Sequence, residues 1–300
     1  SLPNPGLAVV DTGNVEITGF EVRNFCSGIM LLRSKANHVH HMRLVNNRGA
    51  AGVLVTGDAG DTAGSATSGL SVDNIVEYNV FLNNSDSMDV ARGSENTLIQ
   101  FNKFVIDAQG IVPSQAIEIL SSSNNKVFDN EASGFAEALQ IGGNNHEIAR
   151  NTLYGNSIAF TMSGSGNKVY DNVVHSNRLG ISTRGGAITL SRNLVWDQGK
   201  DISLCNAGGI CSTNANWLNA RLGISLNGST GHVANDLVAN CTDGYADCDT
   251  RQNYPVLTAS TWQPSGFTVN GTLASRPSTA FVVEIFASHK PGVVDGWGEG

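Results

Sequence analysis

Asparagine returns along this chain on a fixed beat. It stands at 14, 37, 74, 96, 125, 145 and 167. Five or six residues after each comes a second marked position, which from the third copy onward is again asparagine: 79, 102, 130, 151, 172 and 193. Most steps are roughly 21 to 23 residues, and a double register of that length marks a solenoid in which one repeat is one coil.

The residues between the asparagines say which solenoid. Segments such as "NKVFDNEASGFAEALQIG" (125–142) and "NKVYDNVVHSNRLGISTR" (167–184) alternate apolar and polar positions in short runs, around Val127, Ile141, Val169 and Ile181, broken by Asn, Gly and Ser. Period-two alternation interrupted by turn residues reads as short strands, and no window holds apolar residues at helical spacing over more than two turns. Leucine-rich and helical repeats are disfavoured, which leaves an all-β parallel β-helix with about three short strands per coil.

Coils stacked about 4.8 Å apart place equivalent residues over one another, so a buried turn asparagine can satisfy its amide through its copies above and below. The asparagine columns are therefore read as scaffold. The position before the second asparagine runs Asp129, Arg150, Asp171, Arg192. A vertical file of alternating charge is expected, each guanidinium between two carboxylates.

Composition bounds the partners. With 34 glycines, 40% hydrophobic residues and a charge of -8, the chain can fill a continuous core yet offers no basic stripe for nucleic acid or an anionic membrane. No stretch is apolar enough to span a bilayer, and "SLPNPGLAVV" lacks the regions of a signal peptide, so the sequence reads as a mature or trimmed segment. Two close cysteine pairs, Cys205 with Cys211 and Cys241 with Cys248, fit local disulfides in an oxidising compartment, hence a secreted or cell-surface protein, expected as a monomer. Neither pair has the spacing usual for zinc, and Cys26 is left as a small buried hydrophobe.

Regular coils are expected over about 8–205, followed by loop-rich last coils over 206–253. Residues 254–300 then form a strand cap, or the start of a truncated β-sandwich, with an antiparallel pair within 266–288 joined by a Pro-Ser turn. Two insertions, 57–73 and 107–115, interrupt the coils, and long loops in a regular coil shape a functional surface.

The Asn and Gly coil pattern resembles the right-handed parallel β-helix repeat proteins of bacteria, the pectate-lyase-like superfamily of polysaccharide lyases, hydrolases and mannuronan epimerases. The stretch 235–260 with its following strands is similar to the close of many secreted multi-domain β-helix proteins. The resemblance implies a right-handed helix and an extracellular polysaccharide as partner. It carries no catalytic motif of those enzymes into this chain.

Aligning the strand after each turn puts Leu54, Asp89, Glu118, Gln140, Thr161, Ser182 and Ser203 in one outward row, above an inward set running from Val53 and Val55 to Ile181. Asp89 and Glu118 then lie one coil apart between the two insertions. Two carboxylates stacked so closely do not both ionise without a cation or a raised pKa. Three roles follow: calcium ligands that neutralise a uronate in a lyase, the acid and base of a hydrolase, or a solvated acidic pair. Arg92 is the candidate base, with Gln140, Thr161, Ser182 and Arg184 as substrate contacts. His38 and His40, in "HVHHMR", face outward beside Glu77 and suit a transition metal, although a third ligand is not evident. Asp243, Asp247 and Asp249 share one loop that suits Ca²⁺. The leading function is cleavage of an acidic polysaccharide by β-elimination. Its rivals are a non-catalytic adhesive solenoid and a glycoside hydrolase.

Overall fold

The computed structural model describes residues 4–57, 70–91, 93–108, 114–196, 198, 224–225, 256–264, 266–273, 280, 283 and 285. Among them every regular element is a strand, and the chain winds through about eight turns of parallel β-solenoid. Sheet A holds the long strands Pro5–Val10, Ser27–Leu32, Ala51–Thr56, Asp86–Ala91, Gln115–Ser123, Glu137–Asn144, Ile158–Ser163 and Leu179–Arg184. Sheet B runs from Glu16–Thr18 to Ile188–Ser191, and sheet C from Glu21–Arg23 to Leu194–Trp196, in strands of three or four residues. Each strand pairs in parallel with its counterpart one coil on.

Alternation sets the core. The inward residues of sheet A, Ile29 and Leu31 up through Met88, Val90, Ile117, Ile119, Phe160 and Ile181, pack against the single central residue of each short strand, such as Val39, Val76, Ile99 and Val127 in sheet B and Leu44, Phe81, Phe104 and Leu153 in sheet C. Phe81 and Phe104 stack with ring centroids 4.6 Å apart, one coil above the other. One apolar column thus runs the length of the winding, buried from both ends of every coil.

Three files of polar side chains hold the corners. The file between sheets B and C is the one the sequence marks: Asn79, Asn102, Asn130, Asn151, Asn172 and Asn193 each accept, through Oδ1, the backbone N–H one coil earlier at 2.9 to 3.2 Å. The file between sheets A and B differs from expectation. Its buried members are Asn37, Asn74, Thr97, Asn125, His146 and Asn167, whereas Asn14, Asn96 and Asn145 stand one residue earlier, at the corner, with φ between 55° and 58°. Asparagine suits both places, as a buried amide and as the side chain that best tolerates a left-handed backbone. A third file, Asn47, Asn84, Asn156, Asn177 and Gln198, closes the corner from sheet C to sheet A.

The residue before each asparagine of the second file is left-handed, from Tyr78 and Phe101 to Asp129, Arg150, Asp171 and Arg192, and so is His41 before Met42, which holds the equivalent corner one coil earlier. The charged members form the expected vertical file, but resolved into pairs. Arg150 grips Asp129 at 2.9 and 2.8 Å, and Arg192 grips Asp171 at 2.8 and 2.9 Å, each guanidinium reaching back one coil. Glycine is required where coils approach most closely: at Gly164, with φ of 100°, an added Cβ would sit 1.8 Å from the carbonyl oxygen of Gly143.

Packing divides the chain into two compact units, Ser1–Thr230 with Phe286–Gly300, and Gly231–Ile285. In the second, Val256–Gln263 pairs antiparallel with Gly266–Thr272. The antiparallel segment expected at the C-terminal end is present, formed with the strand upstream of residue 266. Much of 273–288, where its partner was expected, lies outside the described residues.

Candidate functional site

Register assembles the outward row of sheet A as the sequence implies. Cα pairing runs Leu54 to Asp89, Asp89 to Glu118, Glu118 to Gln140, Gln140 to Thr161, and Thr161 to Ser182. The following member is Ser225, which displaces the expected Ser203, a residue outside the described set. The row changes character along its length. Met30 and Leu54 are apolar and buried, and with Leu32 and Ala51 they make a second small cluster outside the main core. Asp89 is 5% exposed, Glu118, Gln140 and Thr161 are half-buried, and Ser182 is 5% exposed.

A second row beside the first adds polar partners. The backbone N–H of Gln115 donates to Asp86 Oδ1 at 3.1 Å, Gln115 Nε2 donates to Gln140 Oε1 at 2.6 Å, and Thr161 Oγ1 donates to Glu137 Oε2 at 2.7 Å. Asp86, Asp89, Glu118 and Glu137 therefore lie on one face over three consecutive coils, among amide and hydroxyl groups held in fixed orientations. Arg184 lies in the neighbouring outward row of the same face, exposed and paired in register with Ser163. Arg92, the acidic loop residues Asp243, Asp247 and Asp249, and the cysteines Cys205, Cys211, Cys241 and Cys248 fall outside the described residues, as does most of both insertions. Cys26 is a free thiol of intermediate exposure.

Sheet B carries the other concentration of chemistry. His38 and His40 project outward from one three-residue strand with ring centroids 4.1 Å apart. His38 Nε2 meets Glu77 Oε1 at 2.9 Å, from the coil after, and His40 Nε2 meets Glu16 Oε1 at 2.9 Å, from the coil before. Glu16 is the partner that sequence reading missed. It was visible as the outward residue one register step, 22 positions, before His38.

The other polar clusters do structural work. On sheet C, the Tyr154 hydroxyl and then the Lys103 ammonium hold the Glu131 carboxyl below the ordinary carboxylate range. His146, wholly buried within the first polar file, is pushed below the usual imidazole range by burial.

Comparison with known proteins gives these faces a family. Residues 3–179 match the family described as periplasmic copper-binding protein (NosD). The chain belongs to the NosD family. That family membership and the stacked parallel coils agree with a parallel β-helix repeat protein, and the family's periplasmic setting agrees with an envelope or extracellular location. This NosD-family chain is also similar to a 3-dehydroshikimate dehydratase of Acinetobacter baylyi, 41% identical over 216 residues. That alignment takes in 70% of the chain and 44% of the relative, so the chain spans less than half the length of the curated relative it matches.

Proposed function

We propose that the outer face of sheet A carries out β-elimination, breaking a carbon–oxygen bond in a hydroxylated acid. The observation that carries the reading is the register pair Asp89 and Glu118, one coil apart on an otherwise ordered polar face. The dehydratase relative supports the same bond cleavage, since a dehydratase eliminates water, and it favours a small hydroxylated acid over a polysaccharide as substrate.

Glu118, the more accessible carboxylate, takes the proton from the carbon beside the substrate's carbonyl or carboxylate. The electron pair of that C–H bond forms the new double bond as the C–O bond breaks. Glu118 then returns its proton to the departing oxygen, which leaves as water or as an alcohol, so the carboxylate is regenerated. Asp89, nearly buried one strand spacing away, is the member of the pair that keeps its proton, which leaves Glu118 as the ionised carboxylate that acts as the base. Gln140 binds the substrate oxygen that gains charge: its carbonyl is held by Gln115, which leaves its amide N–H groups as donors.

The test follows ultraviolet absorbance of the unsaturated product with 3-dehydroshikimate and, separately, with uronate polymers, with and without a chelator. Product from the small acid is expected, with Glu118→Gln slower by a factor on the order of 10² to 10⁴. Product from the polymers alone would move the substrate assignment to a polysaccharide. No product from either, or a fully active Glu118→Gln, overturns the reading and leaves a non-catalytic solenoid.

A second reading, ion binding, comes from the family description, and the imidazole and carboxylate cluster on sheet B favours it.

A further inference from the structure

Among the described residues, Glu16, His38 and His40 are brought together so that one ligand atom from each lies within 4.8 Å of the others. Donors around a tetrahedral ion with bonds near 2.0 to 2.2 Å stand about 3.3 Å apart, so side-chain rotations alone close the gap. Both histidines sit on one strand, and the third donor comes from the strand hydrogen-bonded to it. The backbone of two coils therefore fixes the spacing, and no loop has to order itself.

The surroundings are those of a built site. Glu77 faces His38 and is itself anchored by Gln100 Nε2 at 2.6 Å, an arrangement in which a carboxylate fixes the tautomer and the plane of a ligating imidazole. On the other side, His40 Nδ1 lies 3.2 Å from Thr18 Oγ1 and 2.8 Å from His41 Nδ1. The His41 ring in turn stacks on Tyr78 at 5.4 Å, and Tyr78 on Phe101 at 4.9 Å. The side chain of His40 is 14% exposed, which leaves one open approach beside the more exposed Glu16.

We propose that Glu16, His38 and His40 bind one divalent ion of the zinc and copper(II) class, with Glu77 orienting His38 and a fourth position open to water or a small ligand. Two imidazoles and one carboxylate select this class over calcium and magnesium, which take oxygen donors. The assignment rests on the ion-binding reading and gives it an address. It lies on a different sheet from Asp89 and Glu118, so either site can stand without the other.

The experiment is titration calorimetry of the untagged chain with zinc chloride and with copper(II) chloride. Copper-loaded protein is also examined by electron paramagnetic resonance for nitrogen coupling from two imidazoles. One ion per chain is expected. His38→Ala and His40→Ala should abolish saturable binding, and Glu77→Gln should weaken it about 10- to 100-fold. His175→Ala on sheet C is expected to leave binding unchanged. Thermal melts of each variant without metal check that the fold is retained, and on adding the ion the wild-type and His175→Ala melts should rise while those of His38→Ala and His40→Ala should not. If an ion binds but survives both histidine variants, this address is wrong while the ion-binding reading stands. If no ion binds at all, both fall.

Discussion

Replacing Asn130 with alanine isolates what one rung of a corner file contributes. Asn130 Oδ1 accepts from the backbone N–H of Asn102 at 3.0 Å and from Asn102 Nδ2 at 3.1 Å. Its own Nδ2 donates to the carbonyls of Ile99 and Phe128 and to Asn151 Oδ1 at 2.9 to 3.0 Å. After truncation, Asn151 Oδ1 still receives the Asn130 backbone N–H, and Asn102 Nδ2 still reaches the Val76 carbonyl at 2.9 Å. Two N–H groups of Asn102 are left buried without their acceptor. At about 1 to 3 kcal/mol for each orphaned donor, the loss should be about 4 kcal/mol. Denaturant unfolding followed by circular dichroism gives the total, and amide exchange at Asn102 localises it. The matched control is Asn145→Gly, an exposed left-handed corner that glycine accepts readily, expected to change stability by less than about 1 kcal/mol. An Asn130→Ala loss no greater than that of the control, with the Asn102 amide still protected, would show that the file carries no such load.

Two further outcomes follow from titratable groups. His146 Nδ1 accepts the Asn125 N–H at 3.1 Å, so protonation would set donor against donor in a buried site. Because burial lowers its folded value below the ordinary 6.5, the stability that depends on neutral His146 is complete above about pH 6.5 and drains away as the pH falls. Melting curves at about pH 7.5 and pH 5 should differ less for His146→Asn than for wild type, and equal differences would remove His146 from the account. Arg150→Ala breaks a bidentate pair whose side chains are 47% and 23% exposed, so a loss of only about 0.2 to 1 kcal/mol is expected, smaller still in high salt. A loss unchanged by salt would show that the Arg150 guanidinium over the Phe128 ring, its Cζ 4.9 Å from the centroid, matters more than the ion pair with Asp129.

The winding was legible because one side-chain type solves the same corner problem in coil after coil, and because alternation sorts core from surface without ambiguity. The outward row from Asp89 to Ser182 followed from that alone. Errors arose where two physical demands favour the same residue. Asn96 and Asn145 bend the backbone, while Thr97 and His146 beside them occupy the buried file, and nothing in the letters separates the two jobs. The third file went unread because Phe25 and Phe135 break its run of asparagines, although both still hand their N–H to the next member. Glu16 is harder to read because the histidine strand has neighbours on both sides, Glu77 in the coil after and Glu16 in the coil before, 22 residues upstream of His38.

From Asn130 to Asn193 the winding advances 21 residues at a time, with no loop intervening. By backbone alone the length is adjustable by any whole coil, but the side chains count differently. Excising the 21 residues that carry Arg150 would seat Asp129 on Asp171, whereas excising twice that number would seat it on Arg192. The neighbouring outer columns keep the same tempo: Phe128 and Tyr170 lie under guanidinium groups, with Ala149 between them and Ser191 after, and Lys126, Glu147 and Lys168 alternate in sign. Between Asp129 and Arg192 the repeating unit is therefore a doublet of coils, and removing one coil carries an electrostatic penalty that removing two avoids.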